Sequence, residues 1–185
     1  MSRRIFSVLF ILMLLFGYAI AENNGAGKRT IREVAKDGRF IVYDNGTVLD
    51  TKTNLMWAAK DNGKDIKWQE AKLYCDNYKG GGYTDWRLPR LAELEELYDE
   101  HKSQPAKCTN GNSIHFATGL IDITCLCLWA SETNASTNEV AYFDFSFGVR
   151  SAIANQWSQS SRVLPVRSSE QCPTIDFLSY FKGNI

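Results

Sequence analysis

The sequence predicts an α+β fold in which two helices pack on a small antiparallel sheet. Three observations lead to this class: strand-like runs lie early in the chain, two segments with helical periodicity follow them, and further strand-like runs come later. A long polar region separates the helices from the later strands, and the sequence contains no internal repeat. This order is typical of helices packed against an antiparallel sheet.

The first residues have the pattern of a secretory signal peptide. Arg3 and Arg4 precede an apolar run, and the small-x-small triplet Ala19-Ile20-Ala21 follows that run. We therefore expect a signal peptide over residues 1–21 and an exported protein that is periplasmic, displayed on the cell surface or secreted. Contact with a membrane is expected only if this segment stays uncleaved. Residues 22–37 begin with asparagine and glycine and are predicted to be flexible.

A β-meander is predicted next. The runs FIVY (40–43) and TVLD (47–50) flank Asp44-Asn45-Gly46. This is a hairpin signal, because Asn and Gly accept the positive φ of a type I′ turn. A second turn leads into a strand that carries Leu55, Met56 and Trp57.

An amphipathic helix is predicted after the meander. Its inward face is marked by residues at spacings of three and four, namely Trp68, Ala71, Cys75 and Tyr78. Asp65 is the expected N-cap, and the glycines at 80–82 are expected to end the helix.

A second helix is predicted to start around Pro89, whose missing N–H costs nothing in a first turn. Its buried stripe consists of Leu91, Leu94, Leu97 and Tyr98. The glutamates on the other face are interpreted as a solvated surface and not as a catalytic pair. A glutamate needs burial or a close partner to bring its pKa into the catalytic range.

Residues 102–124 are predicted to be a long irregular loop. Beyond it, CLCLWASET and EVAYFDFSFGV are predicted strands, and SRVLPVRSS supplies a last strand with Pro165 at an edge or a bulge. The apolar face of the second run is formed by alternating residues, namely Ala141, Phe143, Phe145 and Phe147.

The charge balance argues against nucleic acid as a partner. The formal net charge of the chain is zero, and the basic cluster at residues 27–36 is interrupted by apolar and acidic residues. Binding of a polyanionic duplex usually needs a concentrated basic face.

The cysteines of an exported chain are interpreted first as disulfides, because the compartments outside the inner membrane are oxidising. Two bridges and one free thiol is the simplest assignment for Cys75, Cys108, Cys125, Cys127 and Cys172, and several pairings remain open. His115 lies among these cysteines, but no CxxC or HxxxH spacing is present. The loop over 102–124 offers calcium only the carboxylate of Asp122. Neither a metal nor a cofactor is predicted.

Five segments carry a family resemblance: DNGTVLDTKTNLMW, WQEAKLYC, GGYTDWRLPRLAEL, LWASET and VLPVR. In order and spacing they resemble the bacterial Lcl C-terminal domain family, named for the terminal domain of a collagen-like adhesin. The third segment is the most specific. We assign the domain to residues 38–172 and a C-terminal tail to residues 173–185. The chain is also similar to the formylglycine-generating enzyme group and, more distantly, to C-type lectin-like domains.

The resemblance implies a C-type lectin-like fold with a long irregular loop region. In that fold a cysteine of the first helix joins one near the C-terminal strand, which implies a disulfide between Cys75 and Cys172. Cys108 then pairs with Cys125 or Cys127 across the long loop. Either of these two remains a candidate for the free thiol.

The resemblance also implies a non-catalytic, adhesin-like module that binds a glycan, because the domain that names the family binds sulfated glycosaminoglycans. The expected partner is a polyanionic polysaccharide or another protein. Candidate ligand-binding residues are arginines, whose forked donors suit sulfate and carboxylate, namely Arg87, Arg90, Arg150, Arg162 and Arg167. Two alternatives stay open. One is an oxidoreductase like the formylglycine-generating enzymes, with Cys125 and Cys127 as its cysteine pair. The other is a structural protein–protein interaction domain.

Overall fold

Eleven strands and two helices make up the described part of the chain, residues 30–155 and 161–169, in a computed structural model. The predicted signal peptide and C-terminal tail lie outside the described residues. The helices are α1 (Trp68–Asn77) and α2 (Leu91–Glu95). The strands are β1 (Glu33–Asp37), β2 (Phe40–Tyr43), β3 (Thr47–Asp50), β4 (Leu55–Ala58), β5 (Gln104–Pro105), β6 (Ser113–Ile114), β7 (Cys127–Asn134), β8 (Glu139–Asp144), β9 (Val149–Ala154), β10 (Ser161–Arg162) and β11 (Val166–Ser168).

The first sheet has five strands in the order β1-β2-β3-β4-β11, and all neighbouring strands are antiparallel. The predicted hairpin of β2 and β3 is confirmed, but its predicted type I′ turn was wrong, because Gly46 has a positive φ of +80° and Asn45 does not. β1 lies within the segment that the sequence predicted to be flexible. Its side chains are mostly exposed, so it shows no apolar pattern, yet its backbone pairs with β2 across a turn at Gly38.

The two faces of the first sheet carry different rows of side chains. Val48, Trp57 and Val166 are cross-strand neighbours, and all three are buried in the main hydrophobic core. Leu49, Met56 and Arg167 form the adjacent row. Because successive side chains of a strand point to opposite faces, this second row lies on the other side of the sheet.

The second sheet has four strands in the order β10-β7-β8-β9. β8 is antiparallel to both β7 and β9, whereas β10 runs parallel to β7. The prediction of one strand through EVAYFDFSFGV was wrong, because β8 ends at Asp144 and a turn over 145–148 leads into β9. Asp144 accepts the backbone N–H of Ser146 at 2.8 Å, and Gly148 has φ +67°. Phe147, predicted to lie on the apolar face, is 76% exposed in this turn.

The last predicted strand is divided between the two sheets. β10 pairs with β7, and β11 pairs with β4. Pro165 lies between them, where its carbonyl accepts the N–H of Ala58 at 3.0 Å and its missing N–H interrupts no ladder. The segment therefore links the two sheets instead of forming one edge strand.

Helix α1 has the periodicity that the sequence predicts. Ala71 and Cys75 are buried in a second hydrophobic cluster that includes Trp129 of β7. The predicted N-cap was wrong, because α1 starts three residues beyond Asp65, and that carboxylate instead binds the Nη1 of Arg162 at 2.8 Å. The three glycines after α1 form a 3₁₀ turn.

Helix α2 is shorter than its apolar stripe. Leu94 lies inside the helix, and Leu97 lies beyond its end, yet both are fully buried. The chain continues in tight turns, in which Leu97 donates to the carbonyl of Leu94 at 2.9 Å and Tyr98 donates to that of Glu95 at 3.0 Å. The predicted stripe is therefore present although only part of it is helical.

The region over 102–124 is irregular apart from the short β5·β6 ladder. A disulfide joins Cys108 to Cys125 with a Cα–Cα distance of 5.2 Å, which confirms one of the two pairings left open. In the chain-entropy model, closing a loop of this size stabilises the fold by about 3 kcal/mol. The buried Asp61 also holds the region, since it accepts the N–H of Thr124 at 2.6 Å.

The α+β class is confirmed, with two helices and several antiparallel sheets among the described residues. The sheet is not single and small as predicted, because the later strands form a sheet of their own. The C-type lectin-like arrangement stays a prediction.

Candidate functional site

A cleft of about 270 Å³ lies where α1, the segment 86–90 and β7 meet. We call segment 86–90, which leads into α2, the corner, and we call this surface the corner cleft. Its lining residues are Trp68, Lys72, Asp76, Arg87, Leu88, Arg90 and Ser131. All of them except Asp76 come from three of the five segments that carry the family resemblance.

A β-bulge connects the walls of the corner cleft. The pairing of β7 with β8 shifts register between Trp129 and Thr133, which releases backbone groups from the ladder. The carbonyl of Ala130 accepts the indole N–H of Trp68 at 2.7 Å. The N–H of Ser131 donates to the carbonyl of Pro89 at 2.8 Å. Groups freed by the bulge therefore hold both α1 and the corner against β7.

Arg87 and Glu93 build the corner itself. The Arg87 guanidinium donates two hydrogen bonds to the Glu93 carboxylate, at 2.8 and 2.7 Å. The same carboxylate accepts the backbone N–H of Arg90 at 2.8 Å, as the glutamate of a capping box does. Burial alone would raise the pKa of Glu93, but these hydrogen bonds hold that pKa below its ordinary value. Arg87 thus lines the cleft with a guanidinium that is already hydrogen-bonded to Glu93.

The backbone of the corner is joined to the first sheet. Arg87 donates its N–H to the carbonyl of Val166 at 2.9 Å and accepts the N–H of Val166 at 3.1 Å. The corner therefore spans from β11 to β7, and a change in Arg87 affects the fold as well as the cleft.

Most charges around the corner cleft are neutralised by close partners. Lys72 pairs with Asp76 at 2.7 Å, one turn apart on α1. Glu132 of β7 accepts the N–H of Leu91 at 3.0 Å. Arg90 is different, since it is exposed and no carboxylate of a described residue forms a salt bridge with it, although its charge helps to lower the pKa of the nearby Glu93. The cleft therefore presents one guanidinium without an ion-pair partner in the described ranges, close to the carboxylates of Glu93 and Glu132.

The other predicted arginines lie outside the corner cleft, and each has a carboxylate partner. Arg150 pairs with Glu95 at the surface. Arg162 is buried and pairs with Asp65. Arg167 is buried and binds Asp85 through its Nε at 2.7 Å. Of the five arginines, the structure brings together only Arg87 and Arg90.

Trp68 is the site residue that sequence reasoning missed, because its spacing assigned it to the buried face of α1. It is the first residue of α1, so it stays half-exposed, whereas Trp57, Trp86 and Trp129 are buried. The sequence feature that could have shown this exposure is the position of Trp68 at the start of the helical pattern. A helical side chain covers the turn before its own Cα, and Trp68 has no such turn.

The described cysteines do not form a reactive pair. Cys125 is bound to Cys108, and Cys127 is a free thiol whose pKa is raised to about 12 by burial and by Asp144. The disulfide predicted between Cys75 and Cys172 involves a residue outside the described part of the chain, so it stays a prediction. Cys75 is a free thiol with no exposed surface in the cluster under α1, and Cys172 lies outside the described residues.

His115 does not form a cluster with the cysteines that lie near it in the sequence. Its Nδ1 lies 2.9 Å from the carbonyl oxygen of Lys102. Within residues 30–155 and 161–169, no group of three or more His, Cys, Asp or Glu side chains is arranged to hold a metal ion. In the same residues, no helix is both long enough and apolar enough to cross a membrane.

Comparison with protein families gives one match. The sequence model of the Lcl C-terminal domain matches residues 46–167, about two thirds of the chain. The chain belongs to the Lcl C-terminal domain family. No curated protein matches it significantly. Every residue that lines the corner cleft lies inside the part that matches the Lcl C-terminal domain.

Proposed function

We propose that this protein is an exported, non-catalytic binding module that recognises an anionic glycan through the corner cleft. The observation that carries the proposal is the unpaired guanidinium of Arg90 in the same cleft as the half-exposed ring of Trp68. The Arg90 guanidinium can bind a sulfate or a uronic-acid carboxylate, and the Trp68 ring can pack on the apolar face of a sugar ring.

The geometry around the two residues supports this role. The indole N–H of Trp68 is bound to the carbonyl of Ala130, which fixes the ring before a ligand arrives. The backbone at the start of α2 is also fixed, because Glu93 accepts the N–H of Arg90 and Glu132 accepts the N–H of Leu91. A site fixed in advance spends less binding free energy on ordering its side chains. Because Arg90 is the one cationic side chain of the cleft lining without a salt bridge to a residue that the structure describes, the cleft offers a single point of attachment for a sulfate or carboxylate group of a polymer.

The cysteine chemistry supports export and a binding role. The Cys108–Cys125 disulfide is of the kind that persists in oxidising compartments such as the periplasm, the cell surface and the medium. A reactive thiol needs a lowered pKa, but the pKa of Cys127 is raised to about 12. We therefore prefer a binding module to an oxidoreductase of the formylglycine-generating type.

The experiment is a binding titration of the purified, oxidised protein with heparin, alginate and neutral dextran. We expect saturable binding to a sulfated or uronic-acid polymer, weakened by salt because the charges are exposed. Arg90→Ala should weaken this binding roughly tenfold, since a hydrogen bond to a charged group contributes about 1.5–3 kcal/mol. Arg150→Ala is the matched control, because Arg150 is equally exposed but lies outside the cleft and is paired with Glu95.

Two results would overturn the proposal. Absence of saturable binding to all three polymers would favour a protein–protein interaction domain. Equal losses for Arg90→Ala and Arg150→Ala would show diffuse electrostatic attraction and no specific role for the corner cleft.

A further inference from the structure

A second cleft, of about 410 Å³, lies on the face of the first sheet opposite the row of Val48, Trp57 and Val166. Leu49 and Met56, neighbours across β3 and β4, contribute apolar surface to it. Tyr43 and Tyr83 also line it. It shares no lining residue with the corner cleft, and we call it the sheet cleft.

Arg167 lines the sheet cleft with a guanidinium that is only partly satisfied. Its Nε and Nη2 bind the Asp85 carboxylate at 2.7 and 3.1 Å, and the Tyr83 ring lies 4.0 Å from its Cζ. Its Nη1 has a different partner, the thioether sulfur of Met56 at 3.6 Å. A thioether is a weak acceptor, so a charged donor at this position gains little from it. Leaving a buried donor without a good acceptor costs free energy.

The two members of the Arg167–Asp85 pair differ in exposure. The Arg167 side chain is 10% exposed, whereas the Asp85 side chain is 59% exposed. Water therefore screens the negative partner more than the positive one, and positive potential remains next to Nη1. An oxygen acceptor with negative charge complements this position, because charge-assisted hydrogen bonds are the stronger kind.

We infer that the sheet cleft binds a small carboxylate with an apolar or aromatic body. One carboxylate oxygen accepts from Nη1 of Arg167 in place of the Met56 sulfur, and the body packs on Leu49, Met56 and the two tyrosine rings. The cleft combines this apolar surface with a few polar groups, namely Arg167, Asn54 and Ser169, and such a combination is typical of small-molecule sites. This inference is independent of glycan binding at the corner cleft.

The test is calorimetric titration of the purified protein with octanoate at neutral pH, and with octanol as the uncharged analogue. We expect saturable binding of octanoate and at least tenfold weaker binding of octanol. Leu49→Trp, which fills the cleft with a larger side chain, should weaken octanoate binding at least tenfold. Leu73→Trp is the matched control, because Leu73 is an exposed leucine of α1 that does not line the sheet cleft.

Arg90→Ala separates this inference from the proposed function, since it should leave octanoate binding unchanged. Absence of saturable octanoate binding would overturn the assignment. Equal affinity for octanoate and octanol would overturn the role of Arg167. Equal losses in Leu49→Trp and Leu73→Trp would overturn the location. The Arg167→Gln variant is avoided because it breaks the ion pair with Asp85 and so disturbs the fold.

Discussion

Glu93 shows how one carboxylate can hold a corner together, since it binds both the Arg87 guanidinium and the Arg90 backbone. We expect Glu93→Gln to lower the free energy of unfolding at neutral pH by about 1–3 kcal/mol, because charge-assisted hydrogen bonds are lost. Glu33→Gln, at an exposed site on β1, should change it by less than about 0.5 kcal/mol. Urea unfolding measures both effects.

The same residue predicts a pH dependence. The pKa of Glu93 is lower in the folded protein than its ordinary value, so its stabilising effect is complete above the pKa of the unfolded chain, about 4.3. The effect is lost as the pH falls through the folded-state pKa. The difference in stability between the natural protein and Glu93→Gln should therefore shrink in acid. A difference that stays constant down to about pH 3 would contradict this assignment.

The free cysteines give a second prediction at the residue scale. Burial raises the pKa of Cys75 to about 12, and the pKa of Cys127 is likewise about 12, so both thiols stay protonated and unreactive. We expect iodoacetamide at about pH 8 to leave both unmodified in the folded protein and to alkylate both after unfolding without reductant. Peptide mass spectrometry reads out each site. If Cys75 stayed protected after unfolding, it would be in a disulfide, and its assignment as a free thiol would be wrong.

Among the elements, the β8–β9 turn depends on one glycine. Gly148 has φ +67°, and an added Cβ would lie 2.5 Å from the Tyr98 ring. That ring is packed edge-on against Phe143, so it has little room to move. We expect Gly148→Ala to lower the melting temperature clearly, since overpacking adds about 1–3 kcal/mol to the backbone strain.

Gly111 provides the control for this turn. It also has a positive φ, +86°, but an added Cβ would meet no atom within 4 Å. Gly111→Ala therefore reports backbone strain alone. Equal destabilisation by both substitutions in thermal unfolding would contradict the contact between Gly148 and Tyr98.

The elements also show what local sequence can predict. The bounds of β2 and β3 were predicted to the residue, because Asn45-Gly46 marks the position of a turn between two strand-like runs. The type of turn was not, since only Gly46 adopts a positive φ. β9 was missed because the alternation that starts at Ala141 continues through Phe145 to Phe147, while the backbone turns after Asp144. Alternation reports which residues are apolar, and it does not show where a polar side chain will cap a turn.

At the scale of the whole molecule, ion pairs distinguish between the five candidate arginines, which the sequence alone could not do. The five arginines were equivalent candidates for ligand binding, but three of them have partners far along the chain, as Asp65 is from Arg162 and Asp85 from Arg167. Local patterns cannot predict such pairs. The structure therefore reduces the predicted set to Arg90 as the arginine of the corner cleft that remains free to bind.

The corner cleft is likewise a product of the whole fold. Its walls come from α1, the corner and β7, and a bulge in β7 supplies the backbone groups that join them. The family match covers all three walls. We therefore assign the proposed ligand binding to the corner cleft as a whole and not to the five arginines.

The most direct measurement is a nuclear magnetic resonance titration that follows the indole N–H signals of the natural protein with short heparin or alginate fragments. We expect the Trp68 signal to shift with saturation, because its ring lines the corner cleft. The signals of Trp57, Trp86 and Trp129 should stay in place, because those rings are buried. A saturable ligand that leaves the Trp68 signal unchanged would contradict the assignment of glycan binding to the corner cleft.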